Sequence, residues 1–188
     1  MSRTTGNVIE REMYPTPDEV VDALLKHLEI RPSDKFLEPC KGTGSIYGKI
    51  KLPEEQKYFA EISEGIDYLE TNFEKMDIII TNPPFSLSEE FIKKSLSELA
   101  DDGTMIYLQR VNFLGAIKRI GFWQEVGMPN KLPVIIPRPK FIRGKTGDSC
   151  EYAWFVWDRG HRLNLNDGLS SIVSASAYQR LKSDEVVL

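Results

Sequence analysis

The residues whose types and order point most directly to chemistry are Asn82, Pro83, Pro84 and Phe85. They follow residues 76–80, whose β-branched apolar run is typical of a buried central strand. Neither proline can donate a hydrogen bond to a sheet ladder, so the strand must end there. Ligands of open α/β sheets bind at the carboxyl ends of strands. At that end, the amide of Asn82 can accept hydrogen bonds from an exocyclic amine, and Phe85 offers a flat face to a planar base.

A second group of residues has the order of a nucleotide-binding pocket. The predicted strand 35–38 ends in Glu38 and leads into a glycine-rich turn with Gly42 and Gly44. Glycines in such a turn let the backbone approach a ligand closely. Glu61 ends the predicted strand 58–61, 17 residues after Gly44, which is near the spacing at which Rossmann-like folds place a carboxylate on a ribose.

The elements that must position these residues alternate between strands and helices, which predicts an α/β fold. A helix over 18–28 is indicated by its apolar spacing, with Thr16 as N-cap and Pro17 at the first helical position. Further helices are predicted at 45–49, 88–100 and 116–126, with a turn at 101–103. Strands are predicted at 35–38, 58–61, 78–80, 104–108, 134–136 and 152–157, the last two ending the sheet. A short helix near 174–181 is the only element predicted in the polar remainder.

Length and composition limit the classes of protein. The 188 residues fit one domain, and 41% apolar with 28% charged residues is ordinary for a globular protein. No apolar run has membrane-spanning length, and the start of the chain lacks the apolar core of a signal peptide, so a cytoplasmic protein without membrane contact is expected. Two cysteines and two histidines are too few for a disulfide framework, and no metal site is predicted.

The charge is unevenly distributed along the chain. The net charge is −4, yet residues 110–145 contain eight basic residues and one acid and so carry +7. Nucleic-acid phosphates are bound by local positive patches, so this segment is a candidate docking face. A solvated basic surface is the alternative. The basic residues proposed to contact nucleic acid are Arg110, Lys118, Arg119, Arg138, Lys140, Arg143 and Lys145.

Taken together, these motifs resemble the S-adenosylmethionine-dependent DNA adenine-N6 methyltransferases with gamma-type motif order. The match lies in Asn82-Pro83-Pro84-Phe85, in the turn from Leu37 to Gly44 and in Thr16-Pro17, over residues 14–157. Residues 136–157 are similar to small phage-type DNA adenine methyltransferases. The resemblance implies a Rossmann-like fold with a mostly parallel sheet flanked by helices and an antiparallel last strand. It also implies a single methyltransferase domain over 14–158, with a flexible arm at 1–13, a DNA-contacting segment at 110–150 and a polar tail at 159–188.

The resemblance also implies a role for each matching residue. The methionine end of S-adenosylmethionine would be held by Thr16, Pro17, Glu38, Pro39, Cys40, Gly42 and Gly44. Glu61 would accept from the ribose hydroxyls, Ile62 would pack on the cofactor adenine, and Asp67 would accept from its amino group. The target adenine, rotated out of double-stranded DNA, would be held by the side chain of Asn82 and the carbonyl of Pro83. Phe85 would stack on the base, and Phe141 is the candidate second wall.

Other interpretations stay open. RNA adenine methyltransferases share the four-residue signature, so RNA is an alternative substrate. A protein-glutamine methyltransferase is disfavoured, because those enzymes prefer tyrosine at the position of Phe85. A non-catalytic cofactor-binding module that interacts with DNA is a further alternative, against which the intact Asn82 and Pro83 argue. The target sequence, the oligomeric state and a restriction partner are not encoded in these motifs. A separate target-recognition domain is not expected within the 188 residues, so target recognition is expected to come from loops, chiefly within 110–150, or to be short or relaxed.

Overall fold

The computed structural model describes residues 14–141, 149–177 and 179. Within them, one sheet contains seven strands in the order β2-β1-β3-β4-β6-β5-β7. The strands are β1 (Phe36–Glu38), β2 (Lys57–Phe59), β3 (Met76–Thr81), β4 (Leu99–Arg110), β5 (Lys131–Ile136), β6 (Tyr152–Asp158) and β7 (Gly168–Val173). Only β6 runs antiparallel to its neighbours, and the other six strands run in one direction. The predicted α/β fold with a mostly parallel sheet is confirmed.

In the described part of the chain, three α-helices of seven or more residues pack on this sheet: α1 (Asp18–Leu25), α2 (Ser88–Glu98) and α3 (Ile120–Val126). Alternate strand residues face opposite sides, so Ile78 and Ile80 join one buried cluster while Ile79 joins the other. The first cluster includes Leu24 of α1, and the second includes Ile92 of α2 and Phe122 of α3. Helices therefore cover both faces of the sheet, which explains why Ile78, Ile79 and Ile80 are all apolar and buried. None of the helices in the described part of the chain is long and apolar enough to cross a membrane.

The strand order creates a crevice at one edge of the sheet. From β1 the chain moves outward to β2, and it then returns across β1 to β3. The loops after β1 and β3 therefore leave in opposite directions, and a ligand can enter between them at the carboxyl ends of the strands. This is the edge at which Glu38 and Asn82 lie.

Several element boundaries differ from the sequence-based predictions. Pro17, not Thr16, is the N-cap of α1, and no side chain caps the helix. The helix predicted over 45–49 is a single 3-10 turn, Tyr47–Lys49, because Ile50 is already extended. The turn predicted at 101–103 lies within β4, which begins directly after α2 and changes register against β3 there.

The polar region after residue 158 contributes a strand that the sequence analysis did not predict. The expected last strand, β6, is antiparallel as predicted, but β7 follows it and pairs in parallel with β5. Residues 175–177 are helical, in agreement with the start of the helix predicted near 174–181, most of which lies outside the described residues. The arm over 1–13 also lies outside them, so the proposed division into arm, domain and tail remains a prediction.

Candidate active site

A cleft of about 230 Å3 lies at the carboxyl ends of β1 and β3. Its walls come from the segment before α1 and from the loops after β1, β2 and β3. Ten of the predicted cofactor and catalytic residues line it: Thr16, Glu38, Pro39, Cys40, Gly42, Glu61, Ile62, Asp67, Asn82 and Pro84. The others with described positions lie outside this lining: Pro17, Gly44, Pro83, Phe85 and Phe141.

The glycine-rich turn after β1 is shaped by left-handed backbone angles. Gly42 and Gly44 have φ values of 51° and 80°, which side-chain-bearing residues rarely adopt. A Cβ built on Gly42 would point into open space, with no atom within 4 Å. The Gly44 N–H donates to the carbonyl of Lys41 at 2.8 Å, which closes the turn. The turn thus leaves room for a ligand beside its backbone.

Glu61 connects this turn to the end of β2. Its Oε2 accepts from the N–H of Gly42 at 2.7 Å, and its Oε1 accepts from the N–H and hydroxyl of Ser63 at 3.1 and 2.7 Å. Burial raises the pKa of Glu61, but the hydrogen bonds from Ser63 and Gly42 and the charge of Lys41 outweigh it, and the pKa lies below its usual value. Glu61 is therefore ionised at neutral pH. Oε1 already accepts two hydrogen bonds, whereas Oε2 accepts one and keeps a second lone pair with which it can accept from a ligand hydroxyl.

The pKa of Glu38 is shifted in the opposite direction from that of Glu61. Glu38 is 2% exposed, and its Oε2 accepts from the N–H of Tyr47 at 2.7 Å. Burial raises its pKa well above the usual value, against the effects of that hydrogen bond and of Lys41. Burial also raises the pKa of the Cys40 thiol to about 12, so this thiol is neutral. The Lys41 ammonium lies 2.5 Å from a carboxylate oxygen of Glu64, which partly neutralises it.

The loop after β2 forms the opposite wall. Oδ1 of Asp67 accepts from the N–H of Leu69 at 2.9 Å. Ile62 lines the cleft and is 60% exposed, so its apolar side chain is accessible there. The hydroxyl of Tyr68 donates to Glu98 in α2 at 2.7 Å. The loop that carries Asp67 is thereby anchored in the core.

The amide of Asn82 is held in one orientation. Its Nδ2 donates to the main-chain carbonyl of Tyr14 at 2.9 Å. A carbonyl oxygen only accepts, so the NH2 end must face Tyr14 and the oxygen Oδ1 must face away from it. The amide therefore presents an acceptor, as the proposed contact with an exocyclic amine requires.

The turn after Asn82 is anchored at both of its ends. The carbonyl of Pro84 accepts from the N–H of Leu87 at 3.0 Å. The hydroxyl of Ser88 donates to the carbonyl of Phe85 at 3.1 Å and accepts from Nε2 of Gln109 at 2.7 Å. Gln109 lies near the end of β4, so the turn is tied to the neighbouring strand.

Phe85 and Phe141 belong to an aromatic cluster beside the cleft, formed with Tyr14 and Tyr152. The rings of Phe85 and Phe141 lie 6.0 and 4.9 Å from that of Tyr152, and the Tyr14 ring lies 6.1 Å from Phe141. The guanidinium of Arg110 lies 5.1 Å from the centre of the Phe85 ring. The structure therefore brings the two predicted stacking residues together, although neither ring lines the cleft.

No protein-family model matches this sequence, and no curated protein sequence matches it. Solved structures do. The methyltransferase subunit of a type I restriction-modification system from Streptococcus thermophilus matches 91% of this chain with a TM-score of 0.60 and 12% identity. A Listeria monocytogenes protein assigned to the class I S-adenosylmethionine-dependent methyltransferases matches 90%, with a TM-score of 0.56 and 11% identity. The chain has the class I methyltransferase fold.

A third structure with this methyltransferase fold is a dimethyladenosine transferase from Plasmodium falciparum, which matches 75% of the chain with a TM-score of 0.54 and 16% identity. This chain spans 52% of the Streptococcus protein, 70% of the Listeria protein and 60% of the Plasmodium protein. At these identities the likeness concerns the fold.

The basic residues on this methyltransferase fold have different environments. Arg119 pairs with Glu89 at 2.8 Å and lies 3.9 Å from the Phe113 ring centre, and Arg138 pairs with Glu151. These two arginines, which were predicted to contact nucleic acid, therefore form ion pairs within the protein. The remaining predicted contacts are Arg110 beside Phe85, the exposed Lys118 and Lys140, and Arg143 and Lys145, which lie outside the described residues.

Tyr14 lines the cleft and is a site residue that the sequence analysis did not name. Its position before Pro15 was the available signal, since a residue before proline is restricted to extended conformations. Ser86 and Leu87 also line the cleft without having been predicted. Among the described residues, no group of three or more potential metal ligands occurs.

Proposed function

We propose that this protein transfers the methyl group of S-adenosylmethionine to the exocyclic N6 amino group of adenine in DNA. The observation that carries the proposal is the placement of Asn82 in one cleft with Glu38, Gly42, Glu61 and Asp67. An acceptor for an amine thus lies beside groups that suit a nucleoside and an amino acid.

The residues of the cleft fit S-adenosylmethionine chemically. The ionised Glu61 can accept from a ribose hydroxyl through its Oε2, and the exposed Ile62 can cover an adenine ring. The carboxylate of Asp67 can accept from the adenine amino group. Glu38, beside the open space at Gly42, can take the ammonium of the methionine part, together with Thr16, Pro39 and Cys40. When bound, the cofactor supplies an electrophilic methyl group on a sulfonium centre.

The chain's own residues prepare the target nitrogen. The adenine amine is a poor nucleophile, because its lone pair is delocalised into the ring. Oδ1 of Asn82 accepts a hydrogen bond from one N–H of this amine, and the carbonyl of Pro83 accepts one from the other N–H. The nitrogen can then become tetrahedral, with its lone pair directed toward the methyl group of the cofactor. Orientation and fixed dipoles supply this activation, and no covalent enzyme intermediate is needed.

A duplex substrate requires that the adenine first leave the base stack. Phe85 and Phe141, half-buried beside the cleft, supply aromatic faces for the extruded base. The exposed Lys118 and Lys140 follow β4 and β5, whose carboxyl ends lie at the same edge of the sheet as Asn82, and these lysines can reach the phosphates. The methyltransferase subunit of a restriction-modification system shares this fold, which agrees with a DNA substrate.

The test is tritium transfer from labelled S-adenosylmethionine to duplex DNA, single-stranded DNA and structured RNA at matched concentrations. Duplex DNA should be labelled at adenine N6. The Asn82→Ala variant should lose at least about 100-fold in turnover, the cost of about 2.7 kcal/mol of transition-state stabilisation, while cofactor affinity stays near normal. The matched control is Asn166→Ala, at an exposed asparagine that precedes β7.

The outcomes separate the alternatives. Label in structured RNA with both DNAs blank would replace the DNA proposal with an RNA methyltransferase. Cofactor binding without any transfer would support a non-catalytic module. Near-normal turnover of the Asn82→Ala variant would place the active site elsewhere.

A further inference from the structure

We propose that the main-chain carbonyl of Tyr14 is a positioning group that selects an amide over a carboxylate at position 82. This inference rests on the proposed function, because it concerns how Asn82 accepts the target amine. It begins from the contact in which Nδ2 of Asn82 donates to the Tyr14 carbonyl at 2.9 Å. The two residues are 68 positions apart in the sequence, so only the fold brings them together.

The carbonyl of Tyr14 is itself held in place. Pro15 follows it and restricts Tyr14 to extended conformations. Thr16 is buried, and the carbonyl of Pro17 accepts from the N–H of Val20 at 3.0 Å, where α1 begins. On the other side, the Tyr14 ring lies 6.1 Å from that of Phe141. The acceptor that faces Asn82 therefore lies on a short segment that is anchored at its carboxyl end by the start of α1.

The consequence concerns which side chains can work at position 82. An ionised carboxylate is by itself a stronger hydrogen-bond acceptor than an amide. Here a carboxylate would place one oxygen against the lone pairs of the Tyr14 carbonyl, with no hydrogen to share. A protonated carboxyl would restore the contact, because its O–H can donate to Tyr14 while its other oxygen accepts from the amine.

The experiment is the pH profile of turnover for the Asn82→Asp variant, divided by that of the wild-type protein at each pH from 5 to 8. Saturating cofactor and duplex DNA are used, so that both profiles report the bound state. The ratio should fall about tenfold for each pH unit above the carboxyl pKa of the variant, since only the protonated form is competent. A ratio that is constant with pH, or that rises with it, would overturn the proposal.

A second measurement keeps the proposal testable if this variant does not fold. In the wild-type protein, the 15N-labelled side-chain NH2 of Asn82, assigned by its loss in Asn82→Ala, should show one hydrogen that exchanges with solvent at least tenfold more slowly than the other. Equal exchange of both hydrogens at the rate of an exposed asparagine such as Asn166 would overturn the proposal. Absence of methyl transfer by the wild-type protein would instead overturn the proposed function, while the exchange measurement still decides whether the contact exists.

Discussion

At the scale of single residues, two carboxyl groups in one cleft differ in charge because their surroundings differ. Glu61 accepts from three donors at Gly42 and Ser63, and its pKa is lowered in spite of burial. For Glu38, burial is the largest effect on the pKa, and it raises that pKa well above the usual value. The first is ready to accept hydrogen bonds at any physiological pH. The carboxylate form of Glu38 is favoured when a cation lies beside it.

This difference predicts a pH dependence of cofactor binding. A cationic ammonium at Glu38 favours the carboxylate, so below the raised pKa of Glu38 binding must release a proton. Affinity for S-adenosylmethionine should therefore rise with pH, by up to about tenfold per unit, and level off above that pKa. Calorimetry from pH 5 to 7 in buffers of different ionisation heat measures both the affinity and the proton release.

The Glu38→Gln variant, which cannot ionise, should bind more weakly and without this pH dependence. Glu55→Gln, at an exposed residue in the turn before β2, is the control and should keep the wild-type profile. A wild-type affinity that is flat from pH 5 to 7, with no proton released, would rule out the role of Glu38.

At the scale of elements, buried ion pairs join the region after β6 to the sheet. Asp158 at the end of β6 accepts from Nζ of Lys131 at 2.5 Å, from the hydroxyl of Thr104 at 2.6 Å and from the N–H of Arg162 at 2.8 Å. Nζ of Lys131 also donates to the carbonyl of Leu163 at 2.7 Å. These groups lie at the edge of the sheet opposite the cleft, so they serve stability.

Asp158→Ala should lower the free energy of unfolding by about 3–5 kcal/mol, because it leaves the ammonium of Lys131, 4% exposed, without its partner. Burial raises the pKa of Asp158, but its hydrogen bonds, chiefly from Lys131 and Thr104, outweigh burial and lower it. Its stabilising effect is thus present above the usual aspartate pKa of about 3.9 and is lost as pH falls through the lower folded value. Urea unfolding at pH 7 and in the acid range measures both effects.

The control variant is Asp167→Ala, whose exposed carboxylate lies 3.9 Å from the same ammonium and should contribute under about 1 kcal/mol. Adding Lys131→Met to Asp158→Ala should recover part of the loss, since it removes the uncompensated charge. Equal losses for Asp158→Ala and Asp167→Ala would show that burial of this pair does not matter.

At the scale of the whole molecule, the surface available to nucleic acid is smaller than the charge of the sequence indicates. Within the segment 110–145, which carries +7, Lys131 lies in a buried ion pair and is not available to nucleic acid. Arg119 and Arg138 are paired with acidic residues. Among the described basic residues of that segment, Lys118 and Lys140 are exposed and form no ion pair. They lie at the edge of the sheet that carries the cleft.

Affinity for duplex DNA should therefore fall as salt rises, and Lys118→Ala and Lys140→Ala should each reduce the slope of log K against log salt by about one. Lys51→Ala, at an exposed lysine outside the segment, should leave the slope unchanged. Fluorescence anisotropy of a labelled duplex between about 50 and 200 mM salt measures the slopes. Slopes that are the same in all three variants would place the phosphate contacts elsewhere.

Local patterns in the sequence were sufficient to predict most of the sheet and to place the candidate site residues at one edge of it. The run of isoleucines over 78–80 and the two prolines after it specify a buried strand and its end, because both properties depend on adjacent residues. Glu38, Glu61 and Asn82 could be placed together in advance, because parallel strands bring their carboxyl ends to one edge. The strand β7 was missed, because Gly168, Ser170 and Ser171 show no apolar alternation.

Only the tertiary structure decided which distant groups meet. The Tyr14 carbonyl that orients Asn82, the acid that neutralises Arg119 and the Asp34 that pairs with buried Arg162 are 68, 30 and 128 residues from their partners. Such contacts depend on how whole elements pack, which is set by the burial of many side chains at once. A residue's type therefore determined what chemistry it could do, whereas packing determined whether Lys131 became a phosphate contact or a buried partner of Asp158.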